Sequence, residues 1–167
     1  MAKKRENKFL SFIAIIIVIL FAGVIYIVVN SGNLYKNTSN IQPTSNQIYK
    51  SKNLKFSVTI PSKFKVDEKF SRVTLGSDKG NIYIEKSGTN LDDIDDYVKD
   101  LDIKNNSVTL NKEKLYVNEL QAISGIVGGQ KYYFIYADKW TIFTLFTDSS
   151  QLSSDLDKIA QSFKYTP

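Results

Sequence analysis

A 21-residue run without a charged side chain, Phe9 to Val29, constrains this chain more than any other feature. It reads FLSFIAIIIVILFAGVIYIVV. At about 1.5 Å rise per residue it makes a helix of roughly 31 Å, against a bilayer hydrocarbon core of about 30 Å. Lipid offers no hydrogen bonds, so the backbone must satisfy itself within the segment, which a helix does even in an Ile- and Val-rich run. Lys3, Lys4, Arg5 and Lys8 precede it against Glu6, and no cation follows until Lys36. The positive-inside rule therefore expects residues 1–8 in the cytoplasm and everything after Asn30 outside. A cleaved signal peptide would carry a shorter apolar core, about 7–15 residues, followed by a small-x-small site. Here Ala22-Gly23 sits inside the run with apolar residues behind it. The reading is an uncleaved, single-pass anchor at 9–29, with the lipid bilayer as its partner.

The overall charge of +5 and pI near 9.2 would by themselves point to nucleic acid or an anionic surface. Their distribution removes that idea. Residues 1–53 hold seven cations against one acid, a net +6, while residues 54–167 hold 15 cations and 16 acids, a net −1. The basicity belongs to the anchor and the segment after it, so no nucleic-acid partner is expected. With no Cys, the chain has no disulfide, thiol nucleophile or thiolate metal site. With no His, it lacks the usual general base near neutral pH and the commonest metal ligand. No cofactor is expected, and no enzymatic activity.

Residues 30–53 are rich in Asn, Ser, Thr and Gln with Pro43 midway, and too little apolar surface is present to offset the entropy of ordering. A flexible linker is expected there, followed by one domain over 54–167. Phe56, Val58 and Ile60 alternate with Ser57 and Thr59 as a half-buried strand that Pro61 stops, and Ser62 to Val66 turns the chain. Arg72–Gly76 and Asn81–Lys86 read as a hairpin around Ser77-Asp78-Lys79-Gly80, with Val73, Leu75, Ile82 and Ile84 inward. Leu91, Ile94, Val98 and Leu101 form an apolar stripe of period near 3.6, a helix capped by Thr89 or Asn90. Lys104–Leu110 and Lys114–Ile123 read as strands, and Ser124–Gly129 as a glycine-rich connection. Gln130–Ala137 and Trp140–Thr147 form a hairpin across Asp138-Lys139; apolar residues on both faces of both strands make them central. Leu156, Ile159, Ala160 and Phe163 line a last helix with Ser153 as its cap. The fold class is α+β, an antiparallel sheet sandwiched by helices.

Tyr49 through Phe64, with Phe56-Ser57-Val58-Thr59-Ile60-Pro61-Ser62, resembles the opening of PsbP-like domains, an aromatic-led strand running into a Pro-Ser turn. Phe64 stands where that family often has Trp. Ile159-Ala160-Gln161-Ser162-Phe163 is similar to the family's closing helix, and the strand order between is compatible. The resemblance implies the PsbP-like fold and an accessory, non-catalytic style of function.

Four groups of residues are candidates for chemistry. Asp92, Asp93, Asp95, Asp96, Asp100 and Asp102 are numerous enough for Ca²⁺, but they lie on a helix rather than in a loop of alternating ligands, and read as a solvated face. Gly128-Gly129-Gln130 copies the tripeptide of translation release factors, yet reads as a turn before a strand. Ser154 and Lys158 stand one helical turn apart, as a Ser/Lys dyad would, but on an exposed face. Among Tyr132, Tyr133, Tyr136, Trp140 and Phe143, Tyr133 and Trp140 are the candidate binding surface. The sequence reading is an anchored, extracytoplasmic binding module of the cell envelope with a protein or cell-wall partner. The alternatives are a carboxylate-dependent cell-wall hydrolase and a pilin-like structural subunit, although the apolar run lacks the Glu that pilins carry near its start.

Overall fold

The computed structural model describes residues 47–167. The expected basic flank 1–8, the apolar run 9–29 and the linker up to residue 46 lie outside the described residues. Among the described residues no helix is long and apolar enough to cross a membrane.

Ten strands and two helices follow in the order β1 (Gln47–Ser51), β2 (Phe56–Ile60), β3 (Lys65–Glu68), β4 (Arg72–Ser77), β5 (Gly80–Gly88), α1 (Ile94–Lys104), β6 (Leu110–Val117), β7 (Leu120–Val127), β8 (Gln130–Asp138), β9 (Thr141–Thr147), α2 (Ser153–Gln161) and β10 (Lys164–Tyr165). Seven strands make an antiparallel sheet in the order β3-β4-β5-β9-β8-β7-β6, and β1-β2-β10 make a small second sheet. The two aromatic strands, β9 and β8, lie inside the large sheet, as their two-sided apolar patterns require.

One face of the large sheet supplies Val73, Leu75, Ile82, Ile84, Ile135, Phe143 and Leu145 to the main core. Against it pack Phe56, Val58 and Ile60 of β2 and Leu156, Ile159 and Ala160 of α2. Phe56, Phe143 and Phe163 join the layers: Phe56 lies 5.5 Å from Phe143 and 5.4 Å from Phe163, and the latter two are 4.9 Å apart. On the opposite face, Ile94 and Val98 of α1 cover Ile123 and Phe134. The sandwich therefore has a helix on each side, but α2 shares its side with a second sheet.

Several boundaries depart from the sequence reading. The linker expected over 30–53 includes β1: Gln47–Ser51 pairs along β2 from Gln47↔Ile60 to Ser51↔Phe56. Tyr49 is buried there, its hydroxyl donating to Glu68, which also accepts from Ser51 Oγ at 2.8 Å and Asn53 Nδ2 at 3.3 Å. Three polar side chains thus converge on one distant carboxylate, a contact no local composition reveals. The turn expected over Ser62–Val66 forms at Ser62-Lys63, where Phe64 N bonds the Pro61 carbonyl at 3.2 Å, and β3 takes over from Lys65. Helix α1 starts three residues late because Thr89 N–H bonds the Trp140 carbonyl at 3.1 Å and keeps the chain extended; Asp93 then caps, accepting from Asp95 N at 2.6 Å. Lys104 ends α1 instead of starting a strand, and Lys114–Ile123 is two strands, β6 and β7, joined at Asn118-Glu119. Both turn residues have positive φ, 44° and 73°, the geometry of a type I′ hairpin made without glycine. Ser124–Val127 belongs to β7, leaving Gly128-Gly129 as the β7–β8 turn at φ 57° and 81°.

Candidate functional site: exposed aromatics at one end of the sheet

The two residues picked from the sequence occupy different environments. Tyr133 is only 6% exposed and lies in the main core. Its hydroxyl donates to Asp157 Oδ1 at 2.7 Å, and Lys131 Nζ sits 5.5 Å from its ring while pairing with the same carboxylate at 2.6 Å. Burial, reinforced by Asp157, drives the Tyr133 pKa well above its ordinary value. This ring is a structural element with no open face. Trp140 is in the β8–β9 turn rather than in a strand, because Asp138 Oδ1 accepts its backbone N–H at 2.8 Å and holds the turn one residue longer. It is 60% exposed, with Lys139 Nζ 4.6 Å from its ring.

Phe70, passed over in the sequence, is 98% exposed in the β3–β4 turn. Its one signal was a lone aromatic among Glu68, Lys69 and Ser71, between two predicted strands. Register puts it at the same end of the sheet as Trp140. Ser71 carbonyl accepts from Lys86 N at 3.0 Å, and Trp140 carbonyl accepts from Thr89 N at 3.1 Å, both along the tail of β5. β4 and β9 flank β5, so the strands that follow the two turns run about 10 Å apart across the sheet at 4.7–4.9 Å per strand. Two free aromatic side chains thus share one rim.

A second aromatic group lies on the part of the α1 face that α1 leaves uncovered. Tyr83, Phe146 and Tyr132 form one cross-strand row through β5, β9 and β8. Phe146 lies 4.9 Å from Tyr83 and 4.8 Å from Tyr132, stacked on both sides, so neither ring face can receive a sugar or base. Arg72 closes the outer face of Tyr83 at 5.3 Å and pairs with Glu85. The row is a self-contained stack that stiffens the sheet.

The remaining candidates are bound up in the fold. Of the six acids, Asp93 caps α1, Asp95 pairs with Lys114 at 2.6 Å and Asp100 with Lys104 at 2.7 Å. Asp102 accepts from Thr109 N at 3.1 Å and Thr109 Oγ1 at 2.6 Å, with Lys112 at 3.4 Å. Desolvation is the largest single influence there and acts against ionisation, yet the Thr109 and Lys112 interactions together outweigh it and hold the Asp102 pKa below the usual carboxylate value. Among the described residues no three acids converge as a metal site would require. Ser154 and Lys158 are both exposed on α2, and Gly128-Gly129 is a hairpin turn. Two open grooves lie elsewhere on the surface, of about 480 Å³ beside Lys63, Lys65 and Asp78 and about 400 Å³ beside Asn118, Glu119 and Tyr165.

No family model matches the sequence, and no curated protein does. Solved structures do. Cyanobacterial PsbP (CyanoP) from Synechocystis sp. PCC 6803 superposes with a TM-score of 0.50 at 12% identity, over 78% of this chain and 98% of that one. A crystal structure from Bacteroides thetaiotaomicron VPI-5482 gives a TM-score of 0.46 at 13% identity, over 76% of this chain and 50% of that one. The fold is PsbP-like, as the opening strand and closing helix implied.

Proposed function

We propose that this protein is a membrane-anchored, extracytoplasmic accessory module without catalytic activity, which engages a protein partner of the cell envelope through Phe70 and Trp140. The observation that carries the reading is their exposure, 98% and 60%, on neighbouring hairpin tips of one end of a PsbP-like domain. Large aromatics are the side chains that most often anchor protein interfaces, since each buries much area at low entropic cost. A free Phe in a β-turn has no packing role to explain it. The apolar run 9–29 and its basic flank support the anchor, with the domain outside the cell.

The test uses intact cells carrying a photo-crosslinking residue at position 70, 140 or 79, the last in the β4–β5 turn at the other end of the sheet. Discrete protein adducts from 70 and 140 and none from 79 are expected. Equal labelling from all three positions overturns the assignment. Protease added to intact cells should also remove residues 54–167; a protected domain refutes the outside placement.

A further inference from the structure

We infer that the elbow joining α1 to β6 is a lipid-contact surface, with Ile103, Val108 and Leu110 seated in the headgroup layer of the bilayer. This inference rests on the proposed anchor at 9–29.

The elbow inverts the usual sorting of side chains. Thr109, small and polar, is 3% exposed, while its neighbours Val108 and Leu110 are 65% and 57% exposed. Ile103, in the last turn of α1, is 71% exposed. Along an extended segment alternate side chains face opposite ways, so turning Thr109 inward turns both branched neighbours outward. The turn is held firmly. Thr109 N–H and Oγ1 both donate to Asp102, and Ser107 N bonds the Asp102 carbonyl at 2.9 Å. Gly125 on β7 leaves the space that the Thr109 methyl fills: a Cβ there would stand 2.4 Å from Thr109 Cγ2. Three apolar side chains within eight residues are therefore fixed toward solvent by buried polar bonds. Water makes that arrangement costly, and an apolar neighbour removes the cost.

Location names the neighbour. Leu110 pairs with Ile126 beside the Gly128-Gly129 turn, at the end of the large sheet that also carries the Ser77↔Gly80 turn and the start of β3 at Lys65↔Gly76. Gln47, the first described residue, pairs with Ile60, which reaches β3 through Pro61–Phe64. The chain thus enters the domain at the elbow's end, with Ile48 there 67% exposed, and opposite to Phe70 and Trp140. Seventeen residues, 30–46, separate the apolar run from Gln47; the flexible linker expected there would span about 23 Å, from roughly 5.5 Å times the root of their number. A linker of that span would keep the entry end within reach of the headgroups. Lys104 and Lys112 flank the apolar trio with long stems that let their charges rise to the water interface.

The 167-residue chain contains no Cys, so single cysteines can be labelled cleanly. Val108→Cys, Phe70→Cys and Ile19→Cys are labelled with bimane in phosphatidylcholine/phosphatidylglycerol vesicles carrying nitroxide lipids, at the headgroup for the first two and deep in the chain for the third. The expected result is headgroup quenching several-fold stronger at 108 than at 70, with deep quenching at 19. The Ile103→Ser/Leu110→Ser background should abolish the difference between 108 and 70. Equal quenching at 108 and 70 with deep quenching at 19 overturns the lipid contact and leaves the anchor standing. No deep quenching at 19 overturns the anchor and this inference with it. Energy transfer between copies labelled at 108, without lipid quenching, overturns it in favour of self-association.

Discussion

Replacing Phe56 by Ala and Phe70 by Ala makes the same chemical change in opposite environments. Phe56 is 0% exposed and touches both Phe143 of the large sheet and Phe163 at the end of α2. Removing a fully buried Phe ring costs about 3–5 kcal/mol, and the cost is highest where the site cannot collapse. Here the surrounding rings are fixed by a central strand, a helix terminus and the small sheet, so the upper half, about 4–5 kcal/mol, is expected. A domain of this size has about 5–15 kcal/mol in all. At roughly 3–4 °C per kcal/mol, the Phe56→Ala melting temperature should fall by about 12–20 °C. Phe70→Ala should change stability by less than about 0.5 kcal/mol while abolishing the partner crosslink. Far-UV circular dichroism in urea, on the full chain in detergent, reads both variants; the single Trp, in an exposed turn, is a poor reporter of the core. A Phe56→Ala loss below about 1.5 kcal/mol, or a Phe70→Ala loss near that of Phe56→Ala, refutes the core and surface assignments.

Other perturbations test separate parts of the fold. Gly80 has φ 125°, and a Cβ there would meet Asp148 Oδ1 at 2.7 Å and Ser149 Cβ at 2.8 Å, so Gly80→Ala should cost at least about 1–3 kcal/mol in the same urea titration. Tyr49→Phe removes one of three donors to Glu68 and should cost about 1 kcal/mol, with β1 amides exchanging faster by hydrogen-exchange mass spectrometry while β9 amides are unchanged. Asp102, Asp138 and Asp148 all have lowered pKa values in the folded state. Their contribution is present above the unfolded pKa of about 3.9 and is lost as pH falls through the folded values, so the urea midpoint should drop as pH falls below about 4. Tyr49 and Tyr133 are shifted the other way, chiefly by burial, so stability should decline as pH rises past about 10, where the unfolded tyrosines ionise first.

Period-2 and period-3.6 patterns carried the interior of this fold. Phe56/Val58/Ile60, Val73/Leu75, Ile82/Ile84 and Leu156/Ile159/Ala160 are buried as their spacing demands. Errors gathered where a long-range contact overrides local composition. Strand β1 looks like polar linker because its partners, β2 and Glu68, lie elsewhere in the chain. The Asn118-Glu119 turn was invisible because a type I′ turn usually announces itself with glycine, and here two non-glycine residues take positive φ. The same limit applied to the site. Tyr133 and Tyr132 are neighbours in sequence, and nothing local says which sheet face the core occupies. Trp140 and Phe70 become a pair only through the registers of β4, β5 and β9. The elbow was hidden for a further reason: Lys104–Leu110 reads as a strand, and the contacts that turn Thr109 inward come from Asp102 and from the space beside Gly125.

The small sheet also sets the order in which the molecule can be completed. β2 is flanked by β1 on one side and β10 on the other, and Thr59 N–H bonds Ser162 Oγ across 103 residues. A chain emerging from its N-terminus therefore exposes Phe56, Val58 and Ile60 early but cannot cover them until Phe163 arrives. Such non-local closure is slow and leaves an apolar edge open to wrong partners meanwhile. Truncation of α2 and β10 should consequently produce an aggregating chain rather than a smaller folded domain, which makes residues 153–167 a checkpoint for the whole.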